Sequence, residues 1–250
     1  MRTNLRLGWR HLRQLRLIME WQVSRLRSVA ALIVAIQSML AVGLVVGFGF
    51  LVGDDADSGR FLATGAPTIS LAVVGFVLLP QHLVRASLEG SLLFARTFPV
   101  GRFTFLMADT IVWVLAAIPG LVSAILVGAV VYGFSAPSPW AVPALLLAAL
   151  TFNAIGYAMA ALAKPMAAAI YAQVLMLGTV MFSPVLFPLE RVPSWFAGMH
   201  KALPVEPIAN LVRGTLAPEF FAVSASDVVR AALWCGAGLL LSTIGIGRRN

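Results

Sequence analysis

The side chains able to do chemistry are few, and their spacing suits no catalytic arrangement. His11, His82 and His200 fall in three separate stretches of the chain, so neither a metal-ligand spacing nor a nucleophile–base–orienter set emerges. A phosphate-binding P-loop needs a Gly–Lys pair so that the lysine reaches the phosphates. The two lysines, Lys164 and Lys201, follow Ala163 and His200, which excludes a recognisable ATPase site in this chain. The single cysteine, Cys235, lies in an apolar stretch. It rules out an intramolecular disulfide or cysteine metal cluster and reads as a small apolar filler. No metal and no cofactor is expected in this chain, and it reads as no enzyme by itself.

What remains is a set of polar side chains inside apolar stretches: Gln37, Asp109, Asn153 and Gln173. Such residues are unusual in lipid and should face protein or a cavity. Helix–helix hydrogen bonding explains the amides at least as well as contact with a transported substrate does.

The stretches that must position these residues are those of a membrane protein. The chain has 250 residues, 60% hydrophobic and 11% charged, with a mean hydropathy of +0.92. Its apolar residues come in blocks long enough for a helical span of about 20 residues. No ten-residue alternation of the kind a β-barrel needs is present. The expectation is an all-α membrane protein with six spans over residues 28–52, 61–84, 104–131, 141–163, 166–182 and 228–247. Before them, residues 4–20 read as an amphipathic helix lying along the interface, with Leu5, Trp9, Leu12, Leu15 and Met19 on one face and Arg2, Arg6, Arg10 and Arg13 on another. Residues 1–27 thus form an interfacial helix and basic lead, 28–247 the six-span region and 248–250 a tail, within one membrane domain over 1–250.

The net charge of +8 does not imply a nucleic-acid partner. Arg2, Arg6, Arg10, Arg13, Arg16, Arg25 and Arg27 precede the first span, and Arg248 and Arg249 follow the last. The positive-inside bias then predicts N-in, C-in topology, with the basic ends beside anionic lipid. Asp54, Asp55 and Asp57 and the proline-rich segment 183–227 fall outside.

Two segments rise above generic membrane sequence. One is Leu88-Glu-Gly-Ser-Leu-Leu-Phe-Ala-Arg-Thr-Phe-Pro-Val-Gly-Arg102. The other is Met181-Phe-Ser-Pro-Val-Leu-Phe-Pro-Leu-Glu-Arg-Val-Pro-Ser-Trp195 with Leu203-Pro-Val-Glu-Pro-Ile-Ala-Asn-Leu-Val-Arg213. Together they resemble the permeases of type-2 ATP-binding-cassette (ABC) exporters, the class that exports drugs, antibiotics, lipids and polysaccharides. Glu89, Gly90 and Leu92 match the family's loop after span 2, with Ser91 in place of threonine and Pro99-Val100-Gly101-Arg102 at the family's spacing. Beyond span 5, Ser183, Phe187, Pro188, Glu190, Pro193, Trp195, Pro204 and Arg213 match. Two positions depart: Pro184 replaces the usual glycine, and Ala108-Asp109 stands where the family often has Gly-Lys.

The resemblance covers the whole chain and implies roles. The loop after span 2, carrying Glu89, Gly90, Leu92, Leu93, Phe94, Pro99 and Arg102, would form a cytoplasmic coupling helix docked on an ATPase subunit. The segment after span 5, with Phe187, Pro188, Glu190, Pro193, Trp195, Pro204 and Arg213, would form an external re-entrant cap. Ser70, Tyr171, Gln173 and Met176 would line the substrate pathway, because the family places those spans at a dimer interface. The implied partners are two ABC ATPase subunits, which bind ATP and Mg, a second permease identical or homologous to this one, and membrane lipid. The implied setting is a prokaryotic plasma membrane. The implied function is ATP-driven export of an amphipathic or hydrophobic compound, as in multidrug efflux. Export of a lipid-linked glycan, or a non-transporting scaffold or sensor role beside an ATPase, are the alternatives.

Overall fold

The computed structural model describes residues 2–53, 55–90, 102–134, 137–189 and 192–248. Among the described residues there is no strand. The elements are α1 (Arg2–Val42), continued through a π-helical turn (Gly43–Gly47) into α2 (Phe48–Val52), and α3 (Ala56–Val73), continued through a second π-helical turn (Val74–Leu78) into α4 (Leu79–Leu88). They are followed by α5 (Arg102–Tyr132), α6 (Ala141–Leu162), α7 (Pro165–Phe182), α8 (Ser194–Ala202), α9 (Val205–Leu216) and α10 (Ala225–Arg248).

Six stretches are long and apolar enough to cross a membrane: Arg13–Leu51, Ala56–Leu88, Thr104–Tyr132, Ala141–Leu162, Pro165–Phe182 and Ala225–Gly245. The chain is thus an all-helical, multi-pass membrane protein. The start of the first span differs from the sequence expectation. A separate surface helix over 4–20 is not seen as its own element; α1 runs unbroken for 41 residues. Between Gly8 and Gly43 the sequence has neither glycine nor proline, so nothing there frees the backbone hydrogen bonds or kinks the helix. At 1.5 Å per residue such a helix is about 60 Å long, roughly twice the hydrocarbon thickness. Its arginine-rich half must project beyond the apolar layer.

Span 2 is the centre of the bundle. In its most apolar window 83% of residues are buried, against 22% in spans 1, 3 and 5. Two pairs of parallel helices flank it. A Cβ on Gly120 would lie 2.8 Å from Gln37 Oε1, and one on Gly49 would strike Tyr132, so α1 with its extension runs beside α5 at a constant offset of 83 residues. Ser123 Oγ donates to Ser38 Oγ at 3.0 Å in the same seam. On the other side, Gly238 meets Ala154 and Gly245 meets Ala161, so α6 and α10 run parallel at an offset of 84. Small residues at these contacts let the backbones approach, which is how helices gain packing without a water-driven hydrophobic effect. Ser242 Oγ adds a bond to the Ala154 carbonyl at 2.9 Å. Span 2 crosses α6 where Phe76 meets Phe152 edge-on, with ring centroids 5.0 Å apart.

Candidate functional site

At one end of span 2, α4 stops at Leu88 and Gly90 adopts φ +73°. Only glycine takes this left-handed conformation without strain, and it is the usual way to end a helix. Glu89 Oε2 lies 3.6 Å from Arg25 Nη2 on α1, and the Arg25 guanidinium sits 5.1 Å from the Trp21 ring centroid. Both partners of this ion pair are solvated enough that it adds little stability. Its consequence is positional: the loop after span 2 leaves the bundle tied to α1. Arg102 begins α5. Leu92, Leu93, Phe94 and Pro99, and with them the expected coupling helix, lie outside the described residues.

At the other end, Val185 and α9 (Val205–Leu216) pack against span 2. Phe187 and Pro188 are half-buried, Pro193 precedes α8, Trp195 is exposed on α8, and Pro204 is buried at the start of α9. Glu190 lies outside the described residues. Arg213 is buried, 2% exposed. Its Nη2 donates to the Val185 carbonyl at 3.0 Å and its Nη1 to Asn210 Oδ1 at 3.1 Å. Its guanidinium carbon sits over the Phe61 ring on span 2, 3.5 Å from the centroid, a position in which Arg is attracted by the ring face.

The polar chain continues beyond the residues singled out in the sequence. Asn210 Nδ2 donates to Glu206 Oε1 at 2.7 Å, and Arg230 Nη1 on α10 donates to Glu206 Oε2 at 3.2 Å. Arg230 also donates to the Lys201 carbonyl at 2.5 Å and pairs with Asp227. Trp234 Nε1 donates to the Ala202 carbonyl at 3.0 Å. Glu206, Asn210 and Arg213 recur at one-turn spacing on an otherwise apolar helix. That polar stripe was a usable signal in the sequence. For Arg230 the sequence offers the local pairing with Asp227 three residues earlier; its bond to Glu206, 24 residues away, was not legible.

Burial pushes the Glu206 carboxyl above its ordinary 4.5, with Arg230 opposing and Asp227 adding to the rise. A raised folded pKa means that the folded chain holds this proton more tightly than the unfolded one. The stabilisation is complete below 4.5 and is lost as pH rises through the folded value. The melting temperature of the wild type, minus that of Glu206→Gln, is therefore expected to fall as pH rises above 4.5. Melts across pH check this; a difference that stays flat would show that Glu206 titrates as it does in the unfolded chain.

The residues expected along the pathway do not converge within one chain. Ser70 is fully buried and donates to the Ala66 carbonyl at 3.3 Å, and Met176 sits in the core. Tyr171 and Gln173 are exposed on the outward face of α7, in a surface shared with Val174 and Leu177. Among the intramembrane polar residues, Gln37, Asn153 and Asp109 are buried.

Six apolar spans and a bundle whose outward faces remain apolar define a multi-pass membrane domain. A family model described as ABC-2 type transporter matches residues 13–217. The chain belongs to that family of ABC transporter membrane domains. A comparison with curated proteins gives no match. Permeases of the family work with an ABC ATPase partner.

Proposed function

We propose that this chain is the permease subunit of an exporter in which two permeases and two ATPase subunits move an amphipathic or hydrophobic compound out of the cytoplasm or inner leaflet. The observation that carries this reading is the family match across residues 13–217. Nucleotide-driven closure of the ATPases pulls on the segment Glu89–Arg102, and the spans tilt from an inward- to an outward-open state. The Arg25–Glu89 contact supports this route, since a pull on that segment reaches α1 as well as span 2. The exposed apolar face of α7 around Tyr171 and Leu177 suits a second permease. The residues after span 5 cap the outer end of the pathway. The arginine-rich ends favour N-in, C-in insertion in a prokaryotic plasma membrane.

The test uses the permease reconstituted with its ATPase in proteoliposomes. Truncating a buried apolar anchor at an interface commonly costs more than about 1 kcal/mol, and rim charges cost less. Phe94→Ala is expected to weaken ATPase docking more than Glu89→Ala, and both are expected to lower export or uncouple hydrolysis from substrate at normal expression. Parent-like transport and unchanged ATPase affinity in both variants would remove the coupling role. ATP hydrolysis that no compound stimulates, with no movement of any compound, would favour the scaffold or sensor reading instead.

A further inference from the structure

At the end of the bundle where Gly90 turns the chain, two guanidiniums share one carboxylate. Glu89 follows Arg85 by one helical turn, and its backbone N–H donates to the Arg85 carbonyl at 2.9 Å. Glu89 also faces Arg25 on α1, with Oε2 3.6 Å from Nη2. The charges of all three reach one imidazole, His82, whose ring packs edge-on to Trp113. Arg85 is exposed, and no ion pair among the described residues includes it. The corner therefore carries a surplus positive charge. Arg25 has five N–H donors in a planar fork, and its single long contact with Glu89 leaves most of them for another acceptor.

The surroundings of the corner select what that acceptor is. From Arg25 toward the middle of span 1, α1 carries Val29, Leu32, Ile36 and Met39, all exposed. At about 100° per residue all four fall within about 40° of Arg25, so one apolar stripe descends from the arginine. It is about 21 Å long, enough to cover the roughly 15 Å of hydrocarbon in one leaflet. On the other side of Arg25, its guanidinium lies 5.1 Å from the ring centroid of Trp21, a residue type that gathers at headgroup level. A negative head above an apolar tail is the chemistry of an anionic phospholipid. Its phosphodiester offers two acceptor oxygens and one negative charge, which suit a guanidinium fork and the surplus here. A free phosphate ester would leave the stripe uncovered, and a zwitterionic lipid brings a second cation to a corner that is already positive.

We propose that Arg25 and Arg85, with the stripe Val29, Leu32, Ile36 and Met39, form a binding site for an anionic phospholipid, whose phosphate competes with Glu89 for Arg25. The site does not depend on the exporter reading above. A phosphate held by both arginines joins α1 to α4 at the root of the loop after span 2, the place where Glu89 makes that connection in the lipid-free chain.

The test titrates the purified full-length chain in a neutral detergent with phosphatidylglycerol, phosphatidylcholine and glycerol 3-phosphate, and follows the bound molecules by native mass spectrometry. One basic side chain near the headgroups strengthens attraction to anionic lipid about fivefold. With two, wild type is expected to bind the first phosphatidylglycerol at least about tenfold more tightly than phosphatidylcholine, and glycerol 3-phosphate far more weakly than phosphatidylglycerol. Arg25→Gln and Arg85→Gln are each expected to lose about fivefold. Arg27→Gln removes the same charge about 200° round α1 from Arg25 and is expected to bind like wild type. Glu89→Gln frees Arg25 and is expected to tighten binding, and by more than Glu20→Gln, which removes the same charge beside Arg16. Misfolding cannot produce that gain. Equal losses in the three arginine variants would mean diffuse attraction to a basic surface and would overturn the site. So would a wild type that treats the two lipids alike, or a Glu89→Gln variant with no gain. Displacement of the lipid by glycerol 3-phosphate would make a free phosphate ester the ligand and overturn the lipid assignment. Unchanged lipid binding in Arg25→Gln and Arg85→Gln, with loss of the ATPase subunit from the complex, would overturn it in favour of a protein carboxylate.

Discussion

Replacing Arg213 with alanine is expected to lower the melting temperature of the purified chain by about 6–12 °C. Arg213 joins three parts of the protein that the chain does not otherwise connect there: the Val185 carbonyl beyond α7, Asn210 on its own helix, and the Phe61 face on span 2. Alanine orphans both acceptors, at about 1–3 kcal/mol each, and opens a cavity where the buried arginine side chain lay. A total of about 3 kcal/mol or more follows, and a domain of this size loses about 2–4 °C per kcal/mol. Arg213→Lys keeps the charge but cannot hold two bonds in the guanidinium plane while stacking on Phe61, so it should fall between the two. Thermal unfolding in detergent reads all three proteins. An alanine variant that melts with wild type would mean that α9 is held on span 2 by its apolar contacts alone.

The second large effect concerns the crossing of span 2 with α6. Gly75 and Gly156 bring the two backbones into direct contact: a Cβ on Gly75 would lie 2.6 Å from Phe152 Cβ, and one on Gly156 would fall on the Gly75 carbonyl. Overpacking a core usually costs about 1–3 kcal/mol because side chains can turn aside. Here the obstacle is backbone, which cannot. Gly156→Ala is expected to cost at least the top of that range, and Gly156→Leu to prevent accumulation of folded protein. Gly236→Ala is the control, since nothing lies within 4 Å of its added carbon and alanine favours the helix by about 1 kcal/mol. Comparable melting of Gly156→Ala and Gly236→Ala would mean that the two helices can slide apart cheaply. The bundle would then be looser than its glycine contacts imply.

How much of this was legible beforehand depended on the element. Spans 3 to 5, expected over 104–131, 141–163 and 166–182, match Thr104–Tyr132, Ala141–Leu162 and Pro165–Phe182 closely. Their ends carry strong local signals: Lys164-Pro165 forces a turn, because proline cannot continue the preceding helix and lysine resists burial. The start of span 1 was harder. A change in amphipathicity marks where a helix leaves the apolar layer, but it does not break hydrogen bonds, so α1 continues where the pattern suggests two pieces.

The site divides in the same way. Glu89, Gly90, Pro204 and Arg213 stood out in the sequence, and the structure gives Gly90 its left-handed turn and Arg213 its buried clamp. Arg230, which completes the clamp, did not, because an arginine near the end of a span with Asp227 three residues before it reads as a local ion pair or a snorkelling end, and neither points to Glu206.

By itself the sequence determined that the chain crosses a membrane as six helices and where most of those helices stop. These properties depend on segment length, hydropathy and backbone-breaking residues, all of them local. The tertiary structure decided which span lies at the centre, which pairs run in parallel register, and which polar groups meet. Those outcomes depend on surfaces far apart in the chain, and the spans are predominantly apolar on lipid-facing and protein-facing sides alike. Hydropathy therefore cannot say which face meets protein and which meets lipid; close glycine contacts and paired polar groups make that choice.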